Sequence, residues 1–162
     1  IPMKGVAILM VCRHNICRSP LAEGILVHAL KVHGMQRVAK VDSAGTHVGM
    51  AGQRTDERAR KVAGMFGVKL KRGRSRRVVA RDFEKFDYIL AMDQDNYQDL
   101  LQMCPDEFVY KLALIRSFCP ETEQPEIPDP FYGSVKGFEN TYQLLDSAVT
   151  GLIDELRRNV LR

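Results

Sequence analysis

The chain has 162 residues, of which 45% are hydrophobic and 27% charged, with 12 Gly and 7 Pro; this composition excludes disordered, collagen-like and disulfide-scaffold classes and predicts one self-sufficient domain over residues 3–162. No apolar run approaches the roughly 18 residues of a membrane span and no secretory leader is visible, while Ile1-Pro2 ahead of Met3 reads as a vector-derived remnant without a role. The net charge of +4 conceals an asymmetry, with 11 Lys and Arg against 2 Asp and Glu in residues 54–81 but 7 against 16 in residues 82–162.

Residues 5–11 read G-V-A-I-L-M-V, a continuous apolar run that predicts a strand buried on both faces of a parallel sheet. After a polar loop, Ser19-Pro20 offers a helix N-cap and a first-turn proline ahead of Leu21, Ile25, Leu26 and Ala29 at helical spacing, with an end near Gly34. Residues 38–44 predict a second strand closing at Gly45, and residues 55–66 a helix ending at Gly67. The basic segment then peaks at Lys71-Arg72-Gly73-Arg74-Ser75-Arg76-Arg77. It carries no interleaved aromatics, so it reads as a solvated face or a guide for an anionic substrate rather than a stacking surface for nucleic acid.

One helical turn over residues 82–86, a third strand over 88–92, a helix over 94–103 and a fourth strand over 110–115 follow. Residues 119–133 hold four of the seven prolines and form the single long irregular loop, a length more often functional than idle. The last helix, over residues 138–161, places Leu144, Leu145, Ala148, Leu152, Ile153 and Leu156 on one face. Strands alternating with helices predict an α/β domain of three layers, with a four-stranded, mostly parallel sheet flanked by helices.

In such a sheet, ligands bind beyond the carboxyl ends of the strands, and the first strand runs directly into Cys12-Arg13-His14-Asn15-Ile16-Cys17-Arg18-Ser19-Pro20. A strand, a short loop and a helix N-terminus turn several backbone N–H groups toward one point, so residues 13–18 are suited to surround a phosphoryl group while Arg18 grips two of its oxygens. The same positive field favours the thiolate of Cys12 and makes it a candidate nucleophile. The plainer alternative is a core cysteine beside a surface arginine.

A thiolate attacking phosphorus needs an acid to protonate the leaving oxygen. Asp129 is the candidate, in Pro128-Asp129-Pro130-Phe131-Tyr132-Gly133, where prolines stiffen the loop and aromatics can line a slot; an ordinary D-P turn is the alternative. Cys12, Cys17, Cys104 and Cys119 contain no C-x-x-C pair and do not suggest a disulfide framework, and the four His are scattered, so neither a metal site nor a cofactor is expected. A reducing, cytoplasmic setting follows.

The blocks V-C-x-x-N-x-C-R-S-P, Asp42-Ser43-Ala44-Gly45-Thr46, Asp87-Tyr88-Ile89-Leu90-Ala91-Met92-Asp93 and Asp129-Pro130-Phe131-Tyr132-Gly133 occur in the order found in the low-molecular-weight protein tyrosine phosphatases, which the chain resembles over nearly its whole length. The resemblance implies hydrolysis of phosphotyrosine monoesters through a phosphocysteine on Cys12, with Arg18 as phosphate and transition-state ligand and Asp129 as general acid, then base for water. It implies that Ser19 hydrogen-bonds the leaving thiolate, that Asn15 holds a left-handed backbone supported by Ser19 and Ser43, and that Phe131 and Tyr132 sandwich the ring. A tyrosine-phosphorylated protein is then the partner, without nucleic acid or a membrane span, and weak self-association stays open. Cys17, in the same curled loop as Cys12, is expected to form a protecting disulfide with it on oxidation.

Three positions depart from the family's habit. His14 stands where Gly is usual, Gly73 aligns with a histidine that helps support the Asn15 loop, and the loop over residues 46–50 is short and lacks the aromatic usual there. Two neighbouring chemistries compete with tyrosine phosphatase activity. An arsenate reductase needs downstream shuttle thiols, for which only Cys104 and Cys119 are available, and a phosphoarginine phosphatase tends to carry Thr at the place of Ile16. A catalytically silent binding module would make the joint presence of Cys12, Arg18 and Asp129 a coincidence.

Overall fold

The computed structural model describes residues 5–119, 123–131 and 133–160. Four strands, β1 (Val6–Cys12), β2 (Ala39–Gly45), β3 (Tyr88–Ala91) and β4 (Leu112–Leu114), form one sheet in the order β2-β1-β3-β4, and every pairing is parallel. The helices are α1 (Arg18–Val32), α2 (Glu57–Met65), α3 (Ala80–Lys85), α4 (Gln94–Met103) and α5 (Val135–Val160).

The alternation along β1 explains its unbroken apolar run. Ile8, Met10 and Cys12 face a core shared with α1, α2 and α5, whereas Leu9 and Val11 face a second core shared with α3 and α4. Both faces are therefore dry, as a central parallel strand requires. β3 divides in the same way, with Leu90 on the first side and Ile89 and Ala91 on the second.

The predicted elements all form, with altered ends. Residues 110 and 111 belong to a 3-10 turn (Asp106–Lys111), which shortens the fourth strand, and the buried Lys111 ammonium donates to the carbonyls of Phe83 (2.8 Å) and Glu84 (3.2 Å). The helix expected from residue 55 begins at Glu57, because Asp56 accepts from the Arg58 N–H and caps it. α5 starts three residues earlier than expected, at Val135, and Leu161 lies outside the described residues.

The expectation that Ser19 caps α1 is corrected. α1 begins at Arg18 after Cys17, no side chain caps it, and the Ser19 hydroxyl is engaged elsewhere. The uncapped first turn opens at the carboxyl end of β1, beside the ends of β2 and β3, which places a set of free helix N–H groups at the centre of the sheet's edge.

Candidate active site

The loop between β1 and α1 is shaped around Asn15, whose φ of 60° is the single positive value among non-glycine residues described. Asn tolerates this left-handed conformation better than most residues, and three hydrogen bonds hold it. Its Nδ2 donates to Ser19 Oγ (2.9 Å) and Ser43 Oγ (3.0 Å), and its Oδ1 accepts from the backbone N–H of Arg76 (2.9 Å). With Gly at position 73, the Asn15 side-chain oxygen is met by a main-chain donor. The Arg76 side chain secures that donor by bridging Asp42 (3.1 Å) and Asp82 (3.0 Å).

Gly45 is required for the loop to lie where it does. A Cβ there would stand 2.8 Å from the Arg13 carbonyl oxygen and 3.0 Å from the Asn15 nitrogen, both backbone atoms, so it could be admitted only by moving the loop itself. The loop is tied to the β2 end by N–H groups of Thr46 and His47, which donate to the carbonyls of Cys12 (3.0 Å) and Arg13 (2.7 Å).

Cys12 is only 3% exposed. Its sulfur lies 3.0 Å from Ser19 Oγ and accepts from the Asn15 N–H at 3.3 Å. Arg18, equally buried, has Nη1 fixed by Asp93 Oδ2 (2.7 Å) and the Ile127 carbonyl (2.8 Å), while Nη2 lies 3.9 Å from Asp129 Oδ2. Cys12, Arg13, His14, Ile16, Cys17, Arg18, Asp129 and Phe131 line one small pocket. The nucleophile, arginine and acid expected from sequence are therefore brought together, although their positions span more than a hundred residues. Cys104 and Cys119 are absent from that pocket, and Cys104 packs in the core on the other face of the sheet.

Asp129 is open to solvent, with a side chain 41% exposed, and its Oδ1 accepts from the Phe131 N–H at 3.0 Å, a tight local turn that presents Oδ2 to the pocket. Phe131 is 39% exposed at the rim, and Arg58 stands 5.7 Å over its ring and donates to the Gly133 carbonyl (2.7 Å). Asp56 holds Arg58 in turn at 2.8 Å. Tyr132, the second expected wall of the slot, lies outside the described residues.

The exposed His14, which borders the pocket, donates through Nδ1 to the His47 carbonyl (2.8 Å), so the imidazole joins the phosphate loop to the short 46–50 loop. Burial, reinforced by Asp56 and the nearby Cys12 and Asp129, pushes the Cys17 thiol up to about 12, with Arg58 opposing. Cys12 and Cys17 are both free thiols.

Sequence reasoning missed the residues that hold the site from outside its motifs. Asp93, visible in the sequence only as the end of the Asp87–Asp93 block, both orients Arg18 and caps α4 by accepting from the Asn96 N–H (2.8 Å). An Asp at the end of a strand and the start of a helix was the available signal. Asp56, just ahead of α2, carried an N-cap signal of its own; the contact of Arg58 with Phe131 and Gly133 carried none.

Residues 7–162 match the family described as low molecular weight phosphotyrosine protein phosphatase. The low molecular weight phosphotyrosine protein phosphatase of Schizosaccharomyces pombe is 34% identical over 145 residues, covering 88% of this chain and 92% of the relative. Among solved structures, a protein tyrosine phosphatase from Entamoeba histolytica superposes with a TM-score of 0.91 at 40% identity, over 95% of this chain and 98% of the other. Wzb of Vibrio vulnificus, solved with benzylphosphonate, gives 0.82 at 29% identity over 94% and 99%.

Proposed function

The chain belongs to the low-molecular-weight phosphotyrosine protein phosphatase family, and from that premise we propose that it hydrolyses phosphotyrosine monoesters in two steps. The Cys12 thiolate attacks phosphorus, forming an S–P bond as the P–O bond to the phenol breaks, and Asp129 gives its proton to the departing oxygen. Water then attacks the phosphocysteine; Asp129 takes the water's proton and the Cys12 thiolate leaves. Arg18 and the loop N–H groups bind the phosphoryl oxygens in both steps, and the hydroxyl of Ser19 stabilises the thiolate.

The observation that carries this reading is the convergence on one sulfur. Cys12 Sγ accepts from the Asn15 N–H and lies at hydrogen-bond distance from Ser19 Oγ, while the Arg18 and Asp129 side chains, 3.9 Å apart, border the same pocket. Asn15, Ser43 and Arg76 act by holding the loop, and Phe131 forms a wall for the ring. Turnover of a phosphotyrosine peptide, with a phosphocysteine trapped on Cys12 by acid quench, is the direct test. Activity confined to phosphoserine, phosphoarginine or arsenate would reject it.

The substrate is a tyrosine-phosphorylated protein in a reducing, cytoplasmic environment, a reading supported by the need for a free Cys12 thiol. Among the described residues no helix is long and apolar enough to cross a membrane. Peroxide regulation belongs to the same proposal. Peroxide oxidises the Cys12 thiolate to a sulfenic acid, the Cys17 thiolate displaces hydroxide from it, and the resulting disulfide protects Cys12 until a dithiol reduces it.

A further inference from the structure

A cavity of about 590 Å³ lies behind the phosphate loop, bordered by α1, β2 and residues 69–74. It shares no lining residue with the Cys12 pocket, because Asn15 and Ser43 form its wall on the loop side. The volume is that of a site for a small organic molecule, roughly 300 to 1,000 Å³.

The lining combines an apolar surface with unpaired positive charge. Pro20, Val27, Val41 and Leu70 supply the apolar wall. Of the charged groups, Lys71 lies 2.6 Å from the buried Glu23 and 3.4 Å from Asp42, so both carboxylates in the lining are already matched. Lys31, Lys69, Arg72 and Arg74 are exposed, and among the described residues none of them has a carboxylate at ion-pair distance; Arg74 donates to the Gly52 carbonyl (3.1 Å), which leaves Lys31, Lys69 and Arg72. Lys69 and Arg72 belong to the strongly basic part of the chain, and none of the three lines the Cys12 pocket, whose lining cations are Arg13 and Arg18.

We infer that this cavity is a second binding site, for an amphiphilic organic anion. An aromatic or acyl body lies on the wall of Pro20, Val27, Val41 and Leu70, and a carboxylate, sulfonate or phosphate head is held at Lys31, Lys69 and Arg72. A bare inorganic anion would leave the apolar wall in water, and a neutral apolar molecule would leave the three cations unmatched. The inference stands on the cavity alone and survives a failure of the catalytic assignment.

The probe is 8-anilinonaphthalene-1-sulfonate, an aromatic anion whose fluorescence rises in apolar surroundings, titrated into the full chain at constant ionic strength. The expected result is saturable binding of one molecule that orthovanadate, at concentrations that stop turnover, does not displace. Lys69→Glu with Arg72→Glu should weaken it at least tenfold. Val27→Trp, which narrows the mouth and leaves every charge in place, should do the same, whereas Arg81→Glu, a charge reversal outside the cavity, should change it less than twofold. Absence of saturable binding, displacement by vanadate, unchanged binding by Val27→Trp, or equal weakening by Arg81→Glu would each overturn the inference.

Discussion

Arg18 and Asp93, 75 residues apart in sequence, meet through a 2.7 Å ion pair, and the Ile127 carbonyl takes the same guanidinium nitrogen at 2.8 Å. Both acceptors hold one edge of the fork, which leaves Nη2 turned toward Asp129 and the pocket. Asp93→Asn keeps an N-cap for α4 but removes the charge that orients Arg18, so Tm should hardly change while kcat/KM falls about tenfold, the equivalent of ~1.4 kcal/mol for a charge-assisted hydrogen bond. Tighter phosphate inhibition together with undiminished turnover would mean that Asp93 competes with substrate for Arg18 instead of positioning it.

Asp129→Ala should lower kcat by about 10² to 10⁴ with an aryl phosphate of ordinary leaving group, and by less as the leaving phenol becomes more acidic. The basic limb of the pH profile should disappear with it. Leaving-group dependence identical to that of the unaltered enzyme would move the acid away from Asp129.

Gly45→Ala tests whether the catalytic loop needs the close approach of β2. The added Cβ meets the Arg13 carbonyl oxygen at 2.8 Å and the Asn15 nitrogen at 3.0 Å, so the loop must shift by a few tenths of an ångström. We expect a stability loss of about 1 to 3 kcal/mol, as in overpacked cores, and a loss of turnover of at least tenfold under conditions where the variant is still folded. Full kcat/KM in the folded variant would show that the loop tolerates the shift.

Asp56 links stability to pH. Hydrogen bonds from the Arg58 guanidinium and backbone hold its carboxyl below the ordinary carboxylate range, against partial burial. A carboxyl lowered on folding adds stability that is fully present above its unfolded value and is lost as pH falls through the folded one. In urea unfolding, Asp56→Asn, which preserves the cap, should therefore be less stable than the original chain at pH 7, and the difference should shrink only as pH falls from about 4 through the lower value of the folded state. Asp56→Ala also removes the cap and should cost about 1 kcal/mol more at both pH values. A difference between Asn and Asp independent of pH would deny the charge a role. Because Arg58 also reaches the Gly133 carbonyl, KM for a peptide should rise in both variants.

What could be read from sequence was what contiguous residues encode. The apolar run of β1 declared a strand buried on both faces, and the nucleophile, Asn15 and Arg18 sit within one seven-residue stretch that runs from the last residue of that strand to the first of α1. Partners brought in by folding were not legible in the same way. Ser19 looked like a cap because Ser-Pro commonly opens a helix, but its hydroxyl serves Cys12 and Asn15. Lys111 appeared to continue a strand until its ammonium found two carbonyls at the end of α3. The cavity behind the loop was equally hidden, since Lys69 and Arg72 drew attention only as part of a charge run while its apolar wall is assembled from α1, β2 and Leu70.

The last prediction concerns how fast Cys17 can protect Cys12. The two thiols lie in one loop, but burial holds the Cys17 thiol up at about 12, so at neutral pH only about one molecule in 10⁵ carries the thiolate that displaces hydroxide from a sulfenic acid. Capture should therefore be slow at pH 7 and quicken about tenfold for each pH unit up to 9, because the thiolate fraction rises by that factor well below its pKa. Oxidation of Cys12 also removes a negative neighbour that helps to keep Cys17 protonated, which offsets part of the effect of burial. With one equivalent of peroxide, intact-mass kinetics should show the sulfenic acid decaying to a disulfide with this pH dependence, and peptide mapping should pair Cys12 with Cys17. Cys17→Ser should turn over normally when reduced, yet under excess peroxide it should lose the fraction that dithiothreitol restores. Disulfide formation at a rate independent of pH, full dithiothreitol recovery of Cys17→Ser, or pairing of Cys12 with Cys104 or Cys119 would each remove Cys17 from that role.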